Sequence, residues 1–144
     1  MNFNKDGYLP KGIHSITWED FQKGFSFSPK RQELMQGLLA VVQILKECGC
    51  DAIYIDGSFV TNKLEPDDWD ACFKANRDAI YRLYEKDADL VLDDFHKRDR
   101  QKEKYAGELY PPNIIAEKDM CYLDFFQCVK GSKGKKGIIK IALL

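Results

Sequence analysis

The chain has no run of about 18 consecutive apolar residues, so nothing in it reads as a membrane-spanning helix. Its first residues, MNFNKDGYLPKG, lack the charged start and apolar middle of a secretory leader. These two absences lead to the expectation of a soluble, cytoplasmic protein with no membrane partner. Neither sign of charge is in excess: 22 Lys and Arg stand against 23 Asp and Glu, for a net of -1. No overall field would draw in nucleic acid, so a nucleic-acid partner is not expected and any basic site must be local. The five cysteines, Cys48, Cys50, Cys72, Cys121 and Cys128, contain no CxxC pair, and neither His14 nor His96 is spaced from Cys48-Gly49-Cys50 in a zinc-like pattern. Reduced, partly buried thiols are expected rather than disulfides or a zinc site. There is no internal repeat, heptad or long low-complexity segment. What is present, 144 residues with 44% hydrophobic and 31% charged, suits one domain with a real core.

Residues 1–16 are rich in Gly, Pro and Asn and read as an extended N-terminal arm, with Tyr8, Leu9 and Ile13 as its anchors. Residues 17–144 make the domain. Thr17 followed by Trp18, Glu19 and Asp20 predicts a helix N-terminus with acids in the first turn, and a short helix to about Lys23. Ser28-Pro29 predicts a second, longer helix to about Glu47, stopped by Gly49. Leu34, Leu38, Val41, Val42, Leu45 and Cys48 recur at three- and four-residue steps and form its buried stripe. Strands are expected over Asp51–Ile55, Asp68–Phe73, Met120–Val129 and Gly137–Leu144, the last two joined by the basic turn GSKGKKG. The charged segment from Asn76 to Lys104 reads as two helices, with His96–Arg100, Lys102 and Lys104 as a solvated basic face. The fold class is therefore α+β: a short mixed sheet packed by helices in a single compact domain.

The chemistry concentrates in Ile53–Phe73, IYIDGSFVTNKLEPDDWDACF. Asp68 and Asp70 alternate along a strand, so they share a face with roughly 6.6 Å between their Cα atoms. Carboxylates so placed repel each other unless a cation sits between them. Upstream, Gly57-Ser58 is a turn whose backbone amides could cradle a phosphate, because glycine admits close approach and successive amides form an anion-binding nest. Taken alone, Asp67-Asp68-Trp69-Asp70 could be only an exposed acidic turn. Spacing, strand context and a later strand carboxylate favour the metal-and-phosphate reading. Trp69 points away from its flanking acids and reads as core.

Gly57-Ser58, nine intervening residues and then Asp68-Trp69-Asp70 resemble the signature of the nucleotidyltransferase-fold, polymerase β-like superfamily. Within it the chain is similar to small uncharacterised prokaryotic minimal nucleotidyltransferases. They share the GSFVT and PxDxD wording, the Pro10, Gly12, Ile13 and His14 motif, Phe125-Phe126-Gln127 and Lys136–Ile139. The resemblance implies a nucleotidyltransferase fold and Mg²⁺- or Mn²⁺-dependent transfer of a nucleoside monophosphate, AMP from ATP or another from its triphosphate, to a protein or small-molecule hydroxyl. It implies metal ligation by Asp68, Asp70 and a third carboxylate, for which Asp124 is the choice and Asp119 and Glu117 are weaker candidates. Gly57 and Ser58, with Thr61 and Lys63, would bind the nucleotide. Many catalytic members carry Arg-x-Arg-Gly after Gly-Ser. Here Phe59-Val60-Thr61-Asn62-Lys63 follows, which leaves Lys63 as the phosphate cation. Minimal members are often antitoxins, so a toxin-like protein partner is implied as well. The alternative is a catalytically weak or inactive protein of the same fold that neutralises such a partner by contact.

Overall fold

The computed structural model describes residues 2–94, 96–111, 115–117, 120–121 and 136–144. Capping chemistry sets its first two helices. The Thr17 hydroxyl accepts from the Asp20 amide at 3.1 Å and opens α1 (Trp18–Phe25). Ser28 does the same for the Arg31 amide at 3.2 Å, and Pro29 occupies the first position of α2 (Pro29–Glu47). The stripe Leu34, Leu38, Val41, Val42, Leu45 and Cys48 is buried as its spacing predicts. Asn76 caps α3 (Arg77–Lys86), and α4 (Lys97–Tyr105) ends on Ala106, which takes the left-handed conformation at φ 63°. The strands are β1 (Gly12–Ser15), β2 (Ala52–Asp56), β3 (Trp69–Lys74), β4 (Gly107–Tyr110), a short antiparallel pair β5 (Ile115–Glu117) and β6 (Met120–Cys121), and β7 (Gly137–Ala142).

Five strands form one mixed sheet in the order β1-β7-β2-β3-β4. Strand β2 is antiparallel to both neighbours, whereas β1 and β7, and β3 and β4, run parallel. One face carries Ile53, Ile55, Trp69, Ala71, Phe73, Leu109, Ile139 and Ile141, which pack with the apolar faces of α1 and α2 into the main core. The other face carries a smaller cluster of Ala52, Tyr54, Cys72, Tyr110 and Ile138. Close helix packing depends on Gly37, where a Cβ would lie 2.0 Å from the Tyr105 carbonyl oxygen, so α2 and the end of α4 meet backbone to backbone. The described residues form a single α+β domain with a mixed five-stranded sheet and four α-helices.

Three strands exceed what the sequence pattern suggests, the short β5 among them. Residues 12–15 of the N-terminal arm form the sheet edge through pairing with β7, and Leu9 is buried while Ile13 is exposed. Gly107-Glu108-Leu109-Tyr110 has no strong strand propensity, and its pairing with β3 supplies the extended conformation. The strand expected over Met120–Val129 is described only at Met120 and Cys121, and most of the basic turn after it lies outside the described residues. Cys48, Cys50 and Cys72 are buried.

The loop after β2 is held by a buried guanidinium. Arg31, on α2, is fully buried and its five N–H groups meet five backbone carbonyls. Nε donates to Lys63, one terminal nitrogen to Phe25 and Phe59, and the other to Ser58 and Thr61. The ring of Phe27 lies 4.2 Å from its centre. Burial lowers its pKa to about 10, so it remains charged at neutral pH. Removing the fork strands several partly buried carbonyls at once, each of which costs about 1–3 kcal/mol if left unpaired. Arg31→Met is expected to lower unfolding free energy by about 3 kcal/mol or more in urea titration, and Arg31→Lys, which lacks the fork, to recover little of it. A loss below about 1 kcal/mol in Arg31→Met would show that the loop does not depend on this residue.

Candidate functional site

Strand register assembles the site. Asp56 closes β2 and pairs across with Asp70 near the start of β3, and Asp70 pairs in turn with Glu108 of β4. Three carboxylates therefore line up across three adjacent strands, on the face opposite the main core. Asp68 stands two residues before Asp70, just ahead of the strand. Like charges directly opposite in a sheet are destabilising, so cations gather round the row. Lys102 of α4 reaches Asp68 at 3.1 Å and Glu108 at 3.4 Å. Arg98, one turn earlier, donates to Glu108 at 3.2 Å, and the Tyr110 hydroxyl donates to the same carboxylate. Lys136 lies 3.3 Å from Asp56.

The electrostatics carry the marks of crowding. The Asp70 carboxyl is pushed up to about 7, first by burial and then by the charges of Asp68, Glu108 and Asp56, with Lys102 opposing them. Asp56 is raised to about 6 by burial, against the pull of Lys136 and of the Gly57 amide that it accepts from. Burial and the bond to Glu108 hold the Tyr110 hydroxyl in its neutral, donating form. The bond to Asp68 leads the causes that raise Lys102, so its ammonium is secure.

Gly57 brings the turn over the row. Its φ is +78°, and a Cβ there would sit 2.7 Å from Asp70 Oδ2, so only glycine lets the backbone lie this close to the carboxylate. Residues Gly57–Val60 form one 3-10 turn, with Ser58 half-buried. Thr61 is committed within the loop, donating to the Ser58 carbonyl at 2.7 Å and accepting from the Lys63 amide at 3.2 Å. Lys63 is exposed. The structure thus brings together Gly57, Ser58, Asp68 and Asp70, uses Thr61 as a loop lock, and leaves Lys63 at the surface.

Asp124 and Asp119 lie outside the described residues, and of Glu117 only the backbone is described. Beside Asp70 the described structure sets Asp56 and also Glu108, a carboxylate that the sequence reading does not single out. Its signal was weak: a lone acid between Gly107 and Leu109, in a four-residue stretch before Pro111. The expected solvated basic face of α4 is instead pinned down, by Lys97 to Asp93, Arg100 to Asp89, Lys104 to Asp87 and Asp89, and Arg98 and Lys102 to the acid row.

A Mg²⁺ or Mn²⁺ ion is what the sequence resemblance implies, and the donors suit one. All are hard carboxylate oxygens, and the crowding that raises Asp70 is the kind of repulsion a divalent cation relieves. As the side chains are placed, no group of three or more His, Cys, Asp or Glu forms a ready cage among the described residues. Lys102 provides the positive charge between Asp68 and Glu108.

A carboxyl whose folded pKa exceeds its unfolded value, near 3.9, binds more protons in the native state, so stability falls as pH rises from about 4 to about 7 and the penalty persists above. Asp70→Asn removes that charge. In metal-free buffer it is expected to melt several degrees higher than the native protein at pH 8, with the gain vanishing at about pH 4. An Asp70→Asn protein no more stable at pH 8 than at pH 4, each relative to native, would show that the row is not repulsive.

Among the described residues no helix is long and apolar enough to cross a membrane. No curated protein and no solved structure matches the chain significantly. A family model does match, over residues 1–142, and with nearly the whole chain covered the protein belongs to the family of unknown function DUF6932.

Proposed function

We propose that this protein is a minimal nucleotidyltransferase of the cytoplasm, which moves a nucleoside monophosphate from a triphosphate, ATP first among them, to a hydroxyl of a protein or small molecule. The observation that carries the reading is the close approach of Gly57, at the head of the Gly57–Val60 turn, to Asp70, which pairs with Glu108 on the next strand. A phosphate-binding turn and a set of hard oxygen ligands are the two things this chemistry needs side by side. Asp68, Asp70 and Glu108 would hold the metal, with Asp124 a further candidate from the sequence. A bound Mg²⁺ or Mn²⁺ would supply charge neutralisation on the phosphate oxygens.

The chain's own residues have definable tasks in that reading. Gly57 lets the backbone approach a phosphate, and Ser58 offers its hydroxyl. Arg31 fixes the loop from behind through Ser58, Phe59, Thr61 and Lys63, so the turn needs little reorganisation on binding. Tyr110 and Arg98 orient Glu108. The acceptor hydroxyl also requires a base, the role that the sequence resemblance gives to Asp124.

A second reading keeps the fold without the transfer: a protein that neutralises a toxin-like partner by contact. The ammonium groups of Lys102 and Lys136 favour it, since they already balance the acids. Incubation with each of the four α-labelled nucleoside triphosphates, Mg²⁺ or Mn²⁺ and a host lysate separates the two. Transfer predicts label in one product and its loss, by 100-fold or so, in the Asp68→Asn, Asp70→Asn double variant. No label with any nucleotide, together with partner neutralisation that survives the double variant, would establish binding instead.

A further inference from the structure

Lys102 occupies an unusual position for a surface lysine. It leaves α4 in the helix's last turn, its side chain is about half exposed, and its ammonium bridges Asp68 and Glu108 at 3.1 and 3.4 Å. Its neighbours on the helix serve differently. Lys104 joins Asp87 and Asp89, and Arg100 joins Asp89, which ties α4 to the segment after α3. Lys102 points the other way, onto the acid row. Two of the carboxylates that would take a divalent cation are thus bridged by a single tethered monovalent one.

We infer that Lys102 is a built-in counter-cation that a divalent metal must displace, so that the free protein holds its acid row closed against metal. This rests on the metal-binding reading of Asp68, Asp70 and Glu108. The tether permits exchange. An ammonium on a flexible four-carbon stem makes point-charge contacts without bidentate geometry, and at half exposure it can swing into water without stranding a buried charge. A guanidinium would be harder to expel, because it can hold two carboxylates through paired N–H groups. The exchange lowers the apparent metal affinity by the fraction of molecules in which the ammonium is seated. The acids stay compatible with folding when metal is scarce, and the metal binds when its concentration is sufficient to compete. Tyr110 and Arg98 both donate to Oε2 of Glu108, so that oxygen keeps its partners when Lys102 leaves Oε1.

Mn²⁺ alone, titrated into the whole protein with free ion followed by electron paramagnetic resonance and stability by melting temperature, tests the idea without reference to activity. Lys102→Met is expected to bind Mn²⁺ about tenfold more tightly than the native protein. It should also melt lower in EDTA and gain more on Mn²⁺ addition. Lys102→Arg should bind no more tightly than native, and Lys104→Met, on the same helix but away from the row, should match native affinity. Native binding that Lys102→Met leaves unchanged or weakens would overturn the exchange while keeping the metal site. No Mn²⁺ binding by either protein at millimolar concentration would overturn the metal site and the exchange with it. Should Lys102→Met prove too unstable to titrate, the arginine variant decides, since tighter binding there contradicts displacement.

Discussion

A single buried guanidinium is the constraint on which the rest of the site depends. Among the described residues Arg31 has no carboxylate partner, yet its five N–H groups are matched by five carbonyls drawn from the end of α1 and from the loop between β2 and β3. Backbone carbonyls of an irregular loop would otherwise have to face water or go unpaired. With Arg31 beneath them they turn inward, and the opposite side of the loop, with Gly57 and Ser58, is left free to lie along the acids. One side chain ties down the twelve-residue connection between β2 and β3 as a shelf.

That shelf borders a region where the sheet is under electrostatic load. Asp56, Asp70 and Glu108 stand in register across three strands, and burial deepens their mutual repulsion. The protein offsets the load with ammonium groups from outside the sheet, Lys102 and Lys136, and with a donated tyrosine hydroxyl. Such an arrangement is poor design for stability alone, where three apolar residues would pack better on this face. Groups held at a cost to folding tend to mark places where binding or chemistry needs them.

The sequence makes a good deal of this legible. Ser28-Pro29 and the stripe from Leu34 to Cys48 locate α2 to the residue, because capping and periodicity are local signals. The alternation at Asp68 and Asp70 places them on one face for the same reason. Glu108 was not legible, because Gly107–Tyr110 becomes a strand only by pairing with β3, and nothing in those four residues announces the partner. Nor was the task of Arg31, since a charged residue at the start of a helix reads as solvated until the loop that covers it is known. The pinning of α4 was hidden likewise: its lysines and arginines find carboxylates from elements far along the chain. Fold and site were readable where they rest on neighbours in sequence, and opaque where they rest on neighbours in space.

The pairing of β7 between β1 and β2 has a consequence for how the chain assembles. Gly12 lies beside Gly137, and Ile55 beside Ile139, so the centre of the sheet is filled by a strand far along the chain from both of its neighbours. Helix α2 and the antiparallel pair β2–β3 involve short separations and can form early. Until β7 pairs with it, that edge of β2 leaves its amides and carbonyls unpaired. Closing so long a loop is slow, and an open edge is a template for mispairing. The sheet that carries the acid row is thus closed by contacts of long sequence separation, the kind that set a slow folding rate.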